Sequence, residues 1–367
     1  MKLHNAFLAS LLPLLAQTPP PTPTAPPTSF WSRGGVNISG IVDAYYAQNP
    51  NNPGSRSNSA RAFDTQANMP TLSMAKLTLD YEPGPVGFHV DIAAGRLGRL
   101  FHLTEQELGN GVMRLIPQAY VSLKPKAWHG VQVDVGKFYT SAGAEVTETH
   151  LNWNYSRSLL FAFGPYYHMG ARVTAPVTKR WTSGFQVING WNNVQDLNSG
   201  KSYGFTNSFN LGKVAINNVY YAGPEKIDTN KGWRHYNDTV VTVQAHEKVS
   251  MLFNYDYGMD RGIAGARGSQ FQGIAGAVKF QLAKKWALSP RLEWFGDRDG
   301  LMSGTGQNLR EVTVTGEYKP LDWMLSRIEY RRDSSDQPYF AKGPNNAGVK
   351  SQDTFLIGLV MFFGPKK

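Results

Sequence analysis

Residues 241–246 read Val241-Thr242-Val243-Gln244-Ala245-His246, an alternation of apolar and polar side chains that ends in the short turn Glu247–Lys248. Successive side chains of a β-strand point to opposite faces, so this run predicts a strand with one apolar and one polar face. Another alternating run follows the turn. The stretch therefore indicates an antiparallel hairpin whose two faces lie in different environments.

The same period of two recurs along most of the chain, and helical spacing is hard to find. Each run covers about ten residues, which is the length that a tilted strand needs to cross a bilayer. A soluble β-sandwich favours strands of about 5–6 residues. Clear examples are Leu77 to Tyr81, Val131 to Val135, Leu288 to Trp294 and Val312 to Tyr318.

The connections between these runs alternate between short and long. Short turns are predicted at 83–86, 125–129, 177–180, 211–212, 247–248, 283–285 and 320–321. Longer polar connections are predicted at 47–70, 96–112, 138–168, 191–200, 223–236, 259–269, 297–309 and 333–349. This order predicts an all-β, transmembrane antiparallel β-barrel of about 16 strands, within a range of about 14–18. Short periplasmic turns and long extracellular loops are the arrangement that outer-membrane barrels show.

Composition agrees with a barrel and excludes several other classes. The mean hydropathy is −0.36, and no apolar run approaches the length of about 20 residues that a membrane-spanning helix needs. Aromatic residues make up 12% of the chain, and many flank strand ends, where interface girdles lie. The chain has no cysteine, which excludes a disulfide framework and cysteine-ligated zinc. Its net charge of +10 comes from scattered basic residues, so we expect no nucleic-acid partner.

The N-terminus predicts export. A short basic start and the apolar stretch 6–16 resemble a signal peptide, which we assign to residues 1–16. Residues 17–35 follow as a Pro/Thr-rich segment that we expect to be disordered. A single barrel domain is then predicted over residues 36–363.

Several motifs resemble the β-barrel porin family described as OmpL-like. The resemblance covers roughly residues 36–363 and is densest over 118–201. The motifs are Val42-Asp43-Ala44-Tyr45-Tyr46, Arg61-Ala62-Phe63-Asp64, Gly136-Lys137-Phe138-Tyr139-Thr140, Asn152-Trp153-Asn154-Tyr155-Ser156-Arg157-Ser158 and Asn189-Gly190-Trp191. The resemblance implies a porin-like barrel in the outer membrane of a Gram-negative-type bacterium. It supplies no catalytic residues.

Segment 138–168 is the best candidate for a functional loop, because it is long and rich in apolar side chains. We expect it to fold into the lumen and form the pore constriction, with Lys137, Glu145, Glu148 and Arg157 facing the solute. In the alternative, the segment packs across the barrel mouth or adds strands, and Arg157 forms a structural ion pair.

Strand parity also predicts charges that line the lumen. Arg291 and Glu293 alternate with Leu292 and Trp294, and the same parity places Arg327, Glu329 and Arg331 on one face. A charge on the lipid-facing side at mid-strand costs about 2–4 kcal/mol, so the interior is the favourable side. These charges serve either transport or a solvated interior network.

These observations favour a porin for passive diffusion of small hydrophilic solutes or ions through a water-filled barrel. The expected partners are outer-membrane lipid, lipopolysaccharide and those solutes, with a homotrimer as a possible assembly. The main alternative is a non-conducting barrel for adhesion or partner docking. A barrel enzyme is a third class, for which Ser156, His168 and Glu145 are available. The histidine spacing predicts no metal site, and we expect no cofactor and no enzymatic activity.

Overall fold

The computed structural model describes residues 31–82, 84–100, 112–263 and 266–365. Within these residues, sixteen strands form one antiparallel sheet that closes on itself. Strands β1–β8 are Val36–Gln48, Pro70–Tyr81, Val86–Gly95, Ala119–Leu123, Gln132–Tyr139, Tyr167–Thr178, Trp181–Ile188 and Ser202–Asn210. Strands β9–β16 are Val214–Gly223, Arg234–His246, Val249–Asp260, Ser269–Ala283, Trp286–Asp297, Gln307–Leu321, Met324–Ser335 and Ser351–Phe363.

The barrel closes between its first and last strands. Strand β16 pairs with β1 from Phe355 opposite Gln48 to Phe363 opposite Gly40. Every other strand pairs with its neighbours in the sequence. The predicted sixteen-stranded antiparallel barrel is therefore confirmed.

Short and long connections alternate around the ring, with 124–131 and 261–268, of 8 residues each, at the boundary between the two kinds. The short ones run 82–85, 124–131, 179–180, 211–213, 247–248, 284–285 and 322–323. The long ones run 49–69, 96–118, 140–166, 189–201, 224–233, 261–268, 298–306 and 336–350. One predicted turn is misplaced, because β14 continues through Pro320 and Leu321. The register shifts between Tyr318 and Leu321, and a bulge tolerates a proline that cannot donate to the ladder.

Among the residues that the structure describes, helices and additional strands are few and short. The α-helices are α1 (Arg96–Leu100) and α2 (Leu159–Phe163), and the 3₁₀ turns are Val112–Leu115, Lys126–Trp128 and Thr149–Leu151. A small hairpin, Phe340–Lys342 with Ala347–Val349, lies in the last long connection. In the part of the chain that the structure describes, no helix is long and apolar enough to span a membrane.

Burial alternates along the strands, and on several strands the charged side chains are buried while the apolar side chains between them are exposed. On β13, Arg291 and Glu293 are buried, whereas Leu292 between them is 61% exposed. On β15, Ile328 is 68% exposed between buried Arg327 and Glu329. The inner face of the barrel therefore carries the buried charges, beside buried apolar side chains such as Tyr45, Phe271 and Leu356. The large exposed side chains of the outer face are apolar, which is the pattern of a barrel that contacts lipid.

The N-terminal predictions fall largely outside the described residues. The signal peptide 1–16 and most of the Pro/Thr-rich segment lie within residues 1–30, which the structure does not describe. The structure describes the last five residues of this segment, 31–35. Ser32 and Arg33 pair with the start of β1, and the ring of Trp31 lies 4.5 Å from that of Phe363. This aromatic contact anchors the chain just before the barrel.

Candidate functional site

The loop 140–166, between β5 and β6, crosses the interior of the barrel. Near its start, the backbone N–H of Gly143 donates to Asp238 on β10 at 3.0 Å. Further along, the hydroxyl of Tyr155 donates to Asp43 on β1 at 2.5 Å. Because β1 and β10 lie almost opposite one another in the ring, the loop bridges two sides of the wall.

Arginines of the wall hold the backbone carbonyls of this loop. Its irregular backbone leaves carbonyl oxygens without strand or helix partners, and buried carbonyls need donors. Three guanidinium groups on β13 and β15 supply them. The bonds run from Arg327 to Thr149 and Asn154 at 2.7 and 2.9 Å, from Arg291 to Ser156 at 2.8 Å, and from Arg331 to Arg157 at 2.5 Å.

Wall carboxylates bind the backbone N–H groups of the same loop. Glu329 accepts from the N–H of Tyr155 at 2.7 Å and from that of Ser156 at 3.0 Å. Glu293 accepts from the N–H of Leu159, at the start of α2, at 2.8 Å. The five charges that parity assigned to the lumen thus all lie on the inner face and contact the loop.

Arg157 does not face the solute, contrary to the expectation from the sequence. The residue is 0% exposed, and its guanidinium group lies over the ring of Phe63 at 4.8 Å. It donates to the carbonyls of Val146 at 3.1 Å and Tyr155 at 2.5 Å, and also to the carbonyl of Thr147. Arg157 therefore fixes the shape of the loop from within, because its own neighbours satisfy its donors.

Glu145 and Glu148 keep part of their surface exposed. The Glu145 side chain is 11% exposed and accepts from Arg291 at 2.8 Å. The Glu148 side chain is 16% exposed and pairs with Lys76 on β2. Burial is the largest single influence and raises the pKa of the Glu148 carboxyl, but the charge of Lys76 and the hydrogen bonds from Lys76 and Thr147 together outweigh it, so the net pKa lies below its usual value. Glu148 is consequently ionised at neutral pH.

Lys137 occupies a different environment from these two carboxylates. It is buried, and its ammonium group lies 4.2 Å from the centre of the Tyr167 ring. A cation over an aromatic face is stabilised by the ring quadrupole. Lys137 lies on β5 next to the loop, and this ring contact joins it to β6.

A narrow cavity remains between the loop and strands β10–β13. It measures about 30 Å³, counted as space open to the centres of water molecules. One water needs about 10–15 Å³ on this measure, so the cavity holds only a few waters. The lining residues include Glu145, Trp153, Asn254, Ala277 and Arg291.

Sequence reasoning missed the polar group on the opposite side of the loop. Lys76 on β2 bonds Asp91 on β3 at 3.0 Å, and Gln118 donates to the same carboxylate at 2.9 Å. The signal was present, because Lys76 alternates with the apolar Leu77 and Leu79. Parity showed the face of these residues but could not show their partners.

The residues considered for an enzyme do not assemble. The Ser156 hydroxyl lies 3.3 Å from guanidinium nitrogens of Arg291 and Arg331. The His168 ring contacts the carbonyl of Gly190 at 2.9 Å and the hydroxyl of Thr140 at 3.2 Å. Among the described residues, no hydrogen bond joins Ser156 to His168, and no three acidic or histidine side chains are grouped for a metal.

Comparison with known proteins identifies a family and a shared fold. Residues 35–363 match the model of the family described as "Putative beta-barrel porin-2, OmpL-like". No curated protein sequence matches the chain. Similar solved structures share the fold at low identity.

One similar structure is the outer-membrane expressed OmpT of Vibrio cholerae, with a TM-score of 0.58 and 12% identity over 89% of this chain and 97% of that one. The anion-selective porin from Comamonas acidovorans has a TM-score of 0.57 and 11% identity over 89% and 99%. The outer membrane channel DcaP of Acinetobacter baumannii has a TM-score of 0.56 and 12% identity over 92% and 99%.

Proposed function

Because the chain belongs to the OmpL-like β-barrel porin family, we propose that it is an outer-membrane porin for passive diffusion of small hydrophilic solutes or ions. Its place is the outer membrane of a Gram-negative-type bacterium, in contact with lipid and lipopolysaccharide. The family, the apolar outer face and the similarity to outer-membrane channels support this location. A homotrimer is one possible assembly.

The loop 140–166 is the proposed constriction, and its bonds to opposite walls carry this part of the proposal. A sixteen-stranded barrel has an open lumen unless something fills it. Here, wall charges of β13 and β15 hold the loop on one side, and Asp43 and Lys76 hold it on the other. We place the solute path along the narrow cavity beside the loop.

The charges at this path belong to two groups. Glu145 and Arg291 border the cavity, and Glu148 with Lys76 lies toward the first strands. Charged groups at a constriction set the ion preference of a pore. Lys137 and Arg157 act on the path indirectly, because their contacts position β5 and the loop.

Planar-bilayer conductance of the purified full-length protein tests the proposal. We expect small, discrete single-channel steps for the parent and larger steps for Trp153→Ala, which removes a bulky side chain from the cavity wall. Trp323→Ala is the matched control, because Trp323 is exposed in a short turn. Equal conductance of all three proteins would contradict a constriction at this loop.

The small cavity favours one other function, a barrel that does not conduct and serves adhesion or partner docking. Space for only a few waters is too little for a solute unless the loop moves. The same measurement separates the two functions. A parent that stays silent while Trp153→Ala conducts identifies the loop as a plug and favours the docking function.

A further inference from the structure

The outer wall of strands β11–β16 is apolar at mid-strand. Large exposed hydrophobic side chains occur on each of these strands. They include Phe253, Ile274, Leu292, Val314, Ile328 and Ile357. This is the surface that contact with lipid chains requires.

A row of four polar residues interrupts the outer wall on strands β7–β10. The row consists of Ser183, Asn207, Asn218 and Thr239, and we call it the polar row. Ser183 is paired in register with Asn207, Asn207 with Asn218, and Asn218 with Thr239. Cross-strand partners point to the same face, so the four side chains form one continuous line.

The polar row lies on the outer face and between apolar side chains. On β8, Asn207 alternates with Phe205, which is 50% exposed, and with Phe209. On β9, Asn218 has Ile216 on one side and Tyr220 on the other. Apolar neighbours in both directions along a strand place the two asparagines within the hydrophobic belt. An unpaired amide in hydrocarbon costs several kcal/mol.

Hydrogen bonds within the wall satisfy only part of the polar row. The indole N–H of Trp181 donates to Oδ1 of Asn207 at 3.0 Å. The side-chain amide of Asn218 donates to the Thr239 hydroxyl at 2.9 Å and to the Asp238 carbonyl at 3.1 Å. Among the hydrogen bonds of the described residues, Nδ2 of Asn207 donates to no group and Oδ1 of Asn218 accepts from none. One open donor and one open acceptor thus stand side by side.

We propose that the polar row is the contact surface with another copy of this chain in a cyclic assembly. The Asn207 amide of one copy donates to the Asn218 oxygen of the next, and the symmetry of a closed ring repeats this bond at every interface. The row has no ionisable side chain, so it offers nothing to a charged partner. Since it presents both a donor and an acceptor, it is complementary to itself.

The lengths of the neighbouring strands also favour contact with protein over contact with lipid. Strand β4 has 5 residues, β5 and β7 have 8 each and β8 has 9, whereas β6, β9 and β10 have 12, 10 and 13. A tilted strand needs about 9–11 residues to cross the hydrocarbon layer. In contrast, β12 and β14 have 15 residues each. The wall at β7 and β8 of the polar row therefore presents a shorter apolar belt than the wall at β12 and β14.

Cysteine cross-linking tests the proposal, because the natural chain has no cysteine. Asn207→Cys and Asn218→Cys, co-expressed in separate copies, place thiols on the two sides of the proposed bond, and Ile357→Cys places one on the apolar outer face of β16 as the control. After oxidation of intact outer membranes, we expect a covalent dimer that joins Asn207→Cys to Asn218→Cys on a non-reducing gel and only monomer for Ile357→Cys. Equal dimer yields would indicate random collision and overturn the proposal.

A second variant tests the interface without a cross-link. In Asn207→Leu/Asn218→Leu the row becomes apolar and suits lipid, so we expect a folded barrel with at least a ten-fold larger monomer fraction in mild detergent. The folded state is checked by heat-dependent gel mobility. A parent that is monomeric in the membrane, or an Asn218→Cys adduct with a different protein, would overturn the contact between copies. The porin proposal stands or falls separately, on conductance.

Discussion

Tyr155 donates a hydrogen bond from its hydroxyl to Oδ1 of Asp43 at 2.5 Å, which joins the middle of the loop to the first strand. The ring reaches this position over Gly358 on β16. A Cβ atom at Gly358 would lie 2.3 Å from a carbon of the Tyr155 ring. The missing side chain of one wall residue therefore creates the space that the loop fills.

Gly358→Ala should displace the loop. The added methyl group would overlap the Tyr155 ring, break its bond to Asp43 and cost about 1–3 kcal/mol, as overpacking of an interior does. We expect a lower melting temperature and a higher single-channel conductance. Gly316→Ala is the control, because its Cβ would have ordinary contact, at 3.9 Å from the nearest atom. Equal melting temperatures and conductances of the two variants would mean that the space between Gly358 and the Tyr155 ring accommodates the methyl group.

Arg157→Met should destabilise the protein strongly. The change removes buried, charge-assisted hydrogen bonds to several loop carbonyls and leaves those acceptors unpaired. We expect the free energy of unfolding to fall by about 2–5 kcal/mol in denaturant titration. Arg332→Met, which removes an exposed ion pair with Asp353, should cost less than about 1 kcal/mol. A similar small loss for both would show that Arg157 does not hold the loop.

Glu145→Gln should shift the ion preference toward anions. The change removes a negative charge beside Arg291 and leaves the cavity more positive. Reversal potentials across a salt gradient measure the shift, which should be larger at 0.1 M salt, where the Debye length is about 10 Å, than at 1 M, where it is about 3 Å. Glu247→Gln, in a short turn away from the lumen, is the control. A shift of equal size in the control would assign the effect to net charge.

Acid should weaken the packing of the loop 140–166 against the barrel wall, because it protonates His150. Burial lowers the pKa of this imidazole from 6.5 to about 4, so the folded protein favours the neutral ring. The stacking of His150 on Phe362, at 4.2 Å between ring centres, occurs in that neutral state. A group with a depressed pKa contributes its full stability above its unfolded pKa. This contribution should therefore be lost as the pH falls from 6.5 toward about 4.

His150→Phe keeps an aromatic ring on Phe362 and removes the titration. We expect the melting temperature of the parent to fall more than that of this variant between pH 7 and pH 5. The Glu148 carboxylate, whose pKa lies below 4.5, contributes equally to both proteins in this range. Parallel curves for parent and variant would exclude His150 as the source of acid sensitivity.

The strand pattern could be predicted from sequence because parity is local. Leu292 between Arg291 and Glu293 shows by itself which side chains share a face, and the alternation of turns then gives the strand number. The role of Arg157 could not be predicted in this way. Its acceptors are carbonyls of a loop whose shape depends on distant wall residues. Hydrogen bonds such as that from Arg327 to the carbonyl of Thr149 join positions far apart in the chain, and the alternating sequence pattern does not predict them.

The polar row on the outer face also shows what sequence parity can and cannot predict. Asn207 and Asn218 lie on the face that parity assigns to lipid, so their position follows from the alternation with Phe205 and Ile216. Their pairing follows only from the register of β8 with β9. Register depends on turn geometry and on the whole sheet. The alignment of the polar row across four strands is therefore visible only in the structure.

The position of the loop in the chain has a consequence for assembly. The loop lies between β5 and β6, yet its partners include Asp43 on β1 and Arg291, Arg327 and Glu329 on β13 and β15. Strand β15 is among the last to be made. The loop can therefore complete its contacts only when β1 and β15 are both in place, and we expect the interior to become protected from proteases together with closure of the ring of strands.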